Sequence, residues 1–171
     1  MTDISDVLKR AKPRERTVEL CIAGDVAAEV ERLEAELARV SADWRPDSLA
    51  ANHPGEAIAK KIAAARERMR EAEVPFTFRA LGAKAWSDLV AQHPAKTEGQ
   101  AFDPETFSPA LLAACCVDPV MTVDQVTELL EVLNTGQVQE LVDAAYEVNT
   151  ESTAVPFSLA ASAILASSGR K

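Results

Sequence analysis

Aromatic residues are scarce in this 171-residue chain. Two Trp, one Tyr and five Phe stand within a hydrophobic content of 47%. β-Sandwiches draw heavily on aromatic side chains, so an apolar complement poor in them and rich in Ala, Leu and Val favours helices. Glycine is sparse too: six are present, and none falls in a G-x-G-x-x-G or P-loop pattern, so no phosphate cradle is readable. Only two histidines occur, His53 beside Pro54 and His93 at the end of an amphipathic run, and neither has metal-ligand or triad spacing. The three cysteines, Cys21, Cys115 and Cys116, are odd in number and include no C-x-x-C, which argues against a disulfide framework and a zinc site. Helix neighbours point about 100° apart, so Cys115 and Cys116 would not line one small site and read as small buried hydrophobes. No catalytic set and no cofactor are expected.

Long hydrophobic runs are also missing. The opening Met1-Thr-Asp-Ile-Ser-Asp6 lacks the apolar core of a secretory signal. The late apolar stretch from Ala154 to Ala166 is interrupted by Pro156, Ser158 and Ser162 and is too short to span a bilayer. A cytosolic protein without a membrane partner is expected.

The most uneven absence is positive charge. No Lys or Arg occurs from Thr97 to Gly169, and from Thr97 onward there are eleven Asp and Glu, whereas residues 1–96 hold sixteen of each sign. The formal charge of −9 repels phosphates, which excludes nucleic acid as a partner. An acidic half suits a basic partner; it equally suits plain solvation of helix surfaces.

Patterning then divides the chain. Residues 1–16 join a short apolar cluster (Ile4, Val7, Leu8) to Lys9, Arg10, Lys12, Arg14 and Arg16, and read as a flexible basic arm. Thr17 to Ile22 alternates as a strand does, with Val18, Leu20 and Ile22 on one side. Asp25 reads as an N-cap. Val26, Val30, Leu33, Leu37 and Val40 then follow at spacings of 4 and 3, as do Ile58, Ile62, Ala65, Met69 and Ala72 beyond a polar loop. Such seams predict an antiparallel coiled-coil hairpin over 26–42 and 55–73. Val74 to Ala80 alternates again, with Pro75 where an edge strand tolerates it. Residues 17–80 are therefore expected to form a two-stranded antiparallel ribbon carrying this protruding hairpin.

Residues 81–168 read as an acidic helical domain, with 169–171 a frayed tail. Trp86, Leu89, Val90 and His93 make a helical stripe stopped by Pro94. Asp103-Pro104 and Ser108-Pro109 are two N-cap-then-Pro starts, the second opening a helix over 110–117 that is apolar all round and so expected to be buried. Thr122-Val-Asp-Gln125 is a capping box, and Asn134-Thr-Gly136 turns into a further helix. The fold class expected is mainly α.

Several pieces in this order resemble the tail assembly chaperones of long-tailed (siphovirus-type) phages that infect actinobacteria. They are the early Thr17-Val-Glu-Leu-Cys-Ile22 strand before a charged helix and Val74-Pro-Phe-Thr-Phe78 before Trp86-x-x-Leu89. Phe102-Asp-Pro-Glu-Thr-Phe107-x-Pro-Ala-Leu-Leu112, Asp118-Pro119, and Val148-Asn149 before Val155-Pro-Phe-Ser158 complete the series over roughly residues 16–160. The resemblance implies a non-enzymatic protein of the host cytoplasm, absent from the mature virion, that keeps the tape measure protein soluble while tail tube subunits polymerise around it. It further implies self-association and the tail tube protein as a second partner. Phe102, Phe107, Pro156 and Phe157 are the contact or framework positions it points to; as core aromatics and loop prolines the same four would be structural only. A structural tail or capsid component, or a small coiled-coil adaptor, is the competing reading.

Overall fold

A computed structural model describes residues 3–42, 44–45 and 53–152. Among them, seven helices and three strands follow one another as α1 (Ile4–Arg10), β1 (Glu15–Cys21), α2 (Gly24–Ala42), α3 (Glu56–Glu71), β2 (Glu73–Arg79), α4 (Ala83–Gln92), α5 (Pro104–Cys115), β3 (Cys116–Asp118), α6 (Val123–Val132) and α7 (Thr135–Thr150).

The sheet is three-stranded and antiparallel, in the order β1-β2-β3, which corrects the two-stranded ribbon expected from the sequence. β1 and β2 pair along their whole length, from Glu15↔Arg79 to Cys21↔Glu73. The third strand comes from the chain that the pattern assigned to the end of a helix. There α5 stops at Cys115, Cys116 adopts extended backbone (φ −72°, ψ 118°), and Cys116 and Asp118 pair with Phe78 and Thr77. Two forces turn the chain: β-branched Val117 prefers the pleat, and the residue before Pro119 is pushed away from helical angles.

The sheet does not stand apart from the helices. Val18, Leu20, Phe76 and Phe78 enter the same core as Leu111, Leu112, Cys115, Val126, Leu141, Ala145 and Val148, so the boundary at residue 80 is not a boundary of the core. The alternation of β1 and β2 delivers this, because every second residue faces α5 and α7. Arg14 and Arg16, assigned to the basic arm, lie beside the end of α7: the Arg14 guanidinium donates to the Glu151 carboxylate at 2.8 Å, and Arg16 pairs with Glu147.

α2 and α3 pack against each other over a second, smaller core of Val30, Leu33, Ile58, Ile62 and Ala65, with Val26, Leu37, Val40 and Met69 half-buried at its edges. They run in opposite directions, since Arg68 meets Glu29 and Arg66 meets Glu34. This pair is not a coiled-coil hairpin of the kind expected. At 19 and 16 residues the helices fall short of the three to four heptads over which a supercoil seam is sustained. Its loop end is tight: Gly55 is buried, and a side chain there would collide with Leu37 and His53. α2 begins at Gly24, so Asp25 sits in the first turn and not at the cap, where its charge still favours the helix dipole.

Caps were the most readable local signals. Asp103 accepts from the Glu105 amide ahead of Pro104, and Thr122 with Gln125 and Asn134 with Gln137 form reciprocal capping boxes. Ser108-Pro109 starts no helix; Pro109 lies inside α5. The burial of Phe107, Leu111, Leu112 and Cys115 on the other side of α5 holds the helix through the hydrogen bond that proline cannot make.

Candidate functional site

The connection from α4 to α5 is closed by polar contacts centred on Asp103, which is 5% exposed. Its amide donates to the His93 carbonyl at 2.9 Å, and its carboxylate accepts from the Glu105 amide at 3.2 Å and the Thr106 hydroxyl at 3.1 Å. With that hydroxyl proton given to Asp103, the 3.0 Å contact between Thr106 Oγ1 and His93 Nδ1 requires the imidazole to donate from Nδ1. Lys96 reaches both Asp103 and Glu105 at 2.9 Å. The hydrogen bond from Lys96 holds the Asp103 carboxyl below the ordinary carboxylate range, aided by Thr106 and the Glu105 amide and opposed by desolvation. Lys96 is in turn raised, first by its bond to Glu105 and then by that to Asp103.

A carboxyl lowered on folding stabilises the protein above the ordinary carboxylate range, and that contribution is lost as pH falls through the lowered value. Asp103→Asn keeps a good N-cap but removes the charge. Wild type is therefore expected to be the more stable at neutral pH, with the difference closing in acid, as thermal melts of both proteins from pH 7 to pH 3 would show. A constant gap across that range would refute the charged clamp.

Above this connection the aromatics gather. Phe102 stacks on Phe107 with centroids 4.0 Å apart, Trp86 meets Phe107 edge-on at 5.8 Å, and Tyr146 approaches Trp86 at 5.7 Å. The structure thus brings Phe102 and Phe107 together, in different roles. Phe107 is 1% exposed and belongs to the core, which removes it from any contact surface; Phe102 is half-buried against that core. Pro156 and Phe157 lie outside the described residues.

Beside this cluster runs a groove of about 740 Å³ between the end of α4, the outer side of α5 and the start of α6. Leu89, Pro109, Ala110, Ala113 and Val123 line it. The small residues of α5 make the space: 110–117 is not buried all round, since Ala110 and Ala113 are only partly covered and Ala114 is exposed. That composition could have signalled a groove, because Ala on a helix face leaves room that Leu would fill. Pro109 also has no N–H to offer the Glu105 carbonyl. Glu105 lines the groove and is paired there with Lys96, while Asp124, Glu128 and Glu131 follow a neighbouring side of α6 at helical spacing, all exposed. None of those three α6 carboxylates is in an ion pair among the described residues.

No protein-family model, curated protein or solved structure matches this chain. The phage resemblance accordingly rests on the residues quoted for it.

Chemically, the groove offers apolar contact, with exposed carboxylates on the adjoining surface of α6. Among the described residues, no group of three His, Cys, Asp or Glu is placed to hold a metal ion, and no helix is long and apolar enough to cross a membrane. The Cys115 and Cys116 thiols are pushed up, mainly by burial, which leaves little of the reactive thiolate. Asn149, read only as part of a motif, is a tie. It accepts from the Leu81 amide at 2.7 Å and donates to the Ala145 carbonyl at 2.7 Å and to Cys115 Sγ at 3.2 Å, fixing the entry to α4 against α5 and α7.

Proposed function

We propose that this protein is a non-enzymatic holding protein of the tail assembly chaperone type, which binds a tape measure chain in the host cytoplasm and keeps it soluble until tail tube subunits enclose it. The observation that carries the reading is the run from Thr97 to Gly169 without a single Lys or Arg, laid over helices that border an apolar groove. A basic, apolar helical client needs both features: complementary charge speeds encounter and excludes wrong partners, and an apolar channel receives the hydrophobic face of a helix. The order of motifs from Thr17 to Ser158 supports the same reading.

The test is co-expression with a phage tape measure chain, followed by a solubility assay and pull-down over a salt series. The client is expected to move to the soluble fraction and to co-purify at low salt. Retention should fall as salt rises, because exposed charges are screened beyond about 10 Å at 0.1 M. A tape measure chain equally soluble without this protein, and failing to co-purify at low salt, would falsify the reading.

A further inference from the structure

β1 lies at one edge of the sheet, and two backbone bonds fix which of its residues face outward. The Ala80 amide donates to the Arg14 carbonyl at 2.8 Å, and the Ile22 amide to the Ala72 carbonyl at 3.3 Å. Opposed residues of antiparallel strands alternate between bonded and unbonded pairs. Along the register with β2, Arg16, Val18 and Leu20 therefore turn their amides and carbonyls to β2, while Glu15, Thr17, Glu19 and Cys21 turn theirs to the open side. Among the described residues, only the Cys21 carbonyl of this outward row has a partner, Gln137 Nε2 at 2.8 Å. Such a row is a template for a further strand.

Carboxylates run beneath this edge. Because the outward Cys21 carbonyl meets Gln137, the side of α7 that carries Gln137 lies under the open side of β1. Glu140, Asp143, Glu147 and Glu151 follow on that side at helical spacing. β1 itself answers the last two: Arg14 pairs with Glu151 and Arg16 with Glu147. Two residues of strand advance about 6.6 Å and four of helix about 6.0 Å, so strand and helix stay in step. Beyond Arg16, however, β1 offers Val18 and Leu20. Asp143 and Glu140 are exposed and have no ion pair among the described residues; Asp143 accepts a hydrogen bond from Gln139 at 2.7 Å.

We propose that the open edge of β1 takes an extended basic segment of a partner protein as a fourth strand, with Lys or Arg at every second position reaching Asp143 and Glu140. Main-chain bonds to the outward row supply affinity, and the carboxylates select the partner. Alternate side chains of a strand share one face, so basic residues two apart all point toward α7. The seven residues of β1 span about 23 Å, and a partner segment of about the same length covers them. A second copy of β1 is a poor match, since its two arginines are already paired and it brings Glu15 and Glu19 with it. This surface is separate from the α4–α5–α6 groove and does not rest on the client-holding reading.

The probe is an octapeptide alternating Lys and Thr, added to the full chain while amide exchange is followed residue by residue by NMR. Exchange is expected to slow at Glu15, Thr17, Glu19 and Cys21 and to stay unchanged at Val18 and Leu20, whose amides already bond to β2. Anisotropy of the labelled peptide should show saturable binding that weakens as salt rises, and an octapeptide alternating Glu and Thr should not bind. Glu19→Pro removes one outward amide and obstructs the edge without breaking a bond to β2, so its melt should match wild type while binding is lost. Should that variant melt early, a Lys–Thr peptide with every backbone amide methylated makes the same demand of the wild type: it should not bind. Glu140→Gln with Asp143→Asn leaves the edge intact and should weaken binding about fivefold, within the range of two exposed ion pairs, with a flatter salt dependence. Protection that is absent or spread over bonded and outward residues alike, or equal binding of the acidic or methylated peptide, would overturn the proposal. So would the same alternating protection appearing on concentration without peptide, which would give the edge to a second copy.

Discussion

Phe107→Ala is expected to lower the unfolding free energy by about 3–5 kcal/mol, the range for removing a large aromatic from a closed core. Phe107 is 1% exposed and touches Trp86, His93 and Phe102 with its ring, so its loss opens a cavity that α4 and the α4–α5 connection cannot both collapse to fill. Phe102→Ala makes a useful contrast. Its ring is only partly covered, and its cost should stay below about 3 kcal/mol, the ceiling for fully burying such a side chain. Denaturant unfolding measures both, with the slope unchanged if the denatured state is unaffected. A Phe107→Ala protein within about 1 kcal/mol of wild type would mean that the aromatic cluster is looser than its geometry, because even an average point mutation costs that much. Should the client reading hold, Phe107→Ala should affect binding only through stability, whereas residues of the groove should affect it directly.

That contrast marks how far the sequence could be read. Strand alternation at Val18 and Leu20, and at Phe76 and Phe78, was visible because each strand has one face on the core and one toward water. The capping box at Thr122 and Gln125 was visible because both halves lie within four residues. What stayed hidden depends on partners distant in the chain. Cys116 to Asp118 reads as the end of an apolar helix, and a strand of three residues has too little alternation to be told from it. The groove went unread because the run is apolar throughout, and only side-chain size separates its open side (Ala110, Ala113, Ala114) from its buried one (Phe107, Leu111, Leu112, Cys115). The 4-and-3 spacing of Val26 to Val40 specified a contact face correctly, but spacing alone does not distinguish two packed helices from a supercoil, and length decides against the latter. Seeing Phe107 and Phe102 within one motif gave no indication that the first would be interior and the second at the margin.

The second core makes a separate expectation. Ile62→Ala should cost about 2–3 kcal/mol, the low end for truncating an aliphatic core residue, since Ile62 is 6% exposed but sits in a cluster of only five buried residues. The exposed pairs that flank it, Arg66 with Glu34 and Arg68 with Glu29, contribute about 0–1 kcal/mol each and cannot replace it. More informative is where the loss appears. The chain has two tryptophans, and they report different places: Trp44 lies against His53, 4.4 Å between ring centroids, near the loop end of the α2–α3 pair, and Trp86 packs on the main core. The two clusters share no residue, so opening of the helix pair can precede global unfolding, as cooperative subunits of a fold do. In a Trp86→Phe background, Ile62→Ala should shift the denaturation midpoint followed by Trp44. In a Trp44→Phe background, the midpoint followed by Trp86 should barely move, and Phe107→Ala should show the reverse dependence. Two probes that shift together by the same amount would show that α2 and α3 fold as one unit with the sheet that joins them, and the independence of the second core would have to be abandoned.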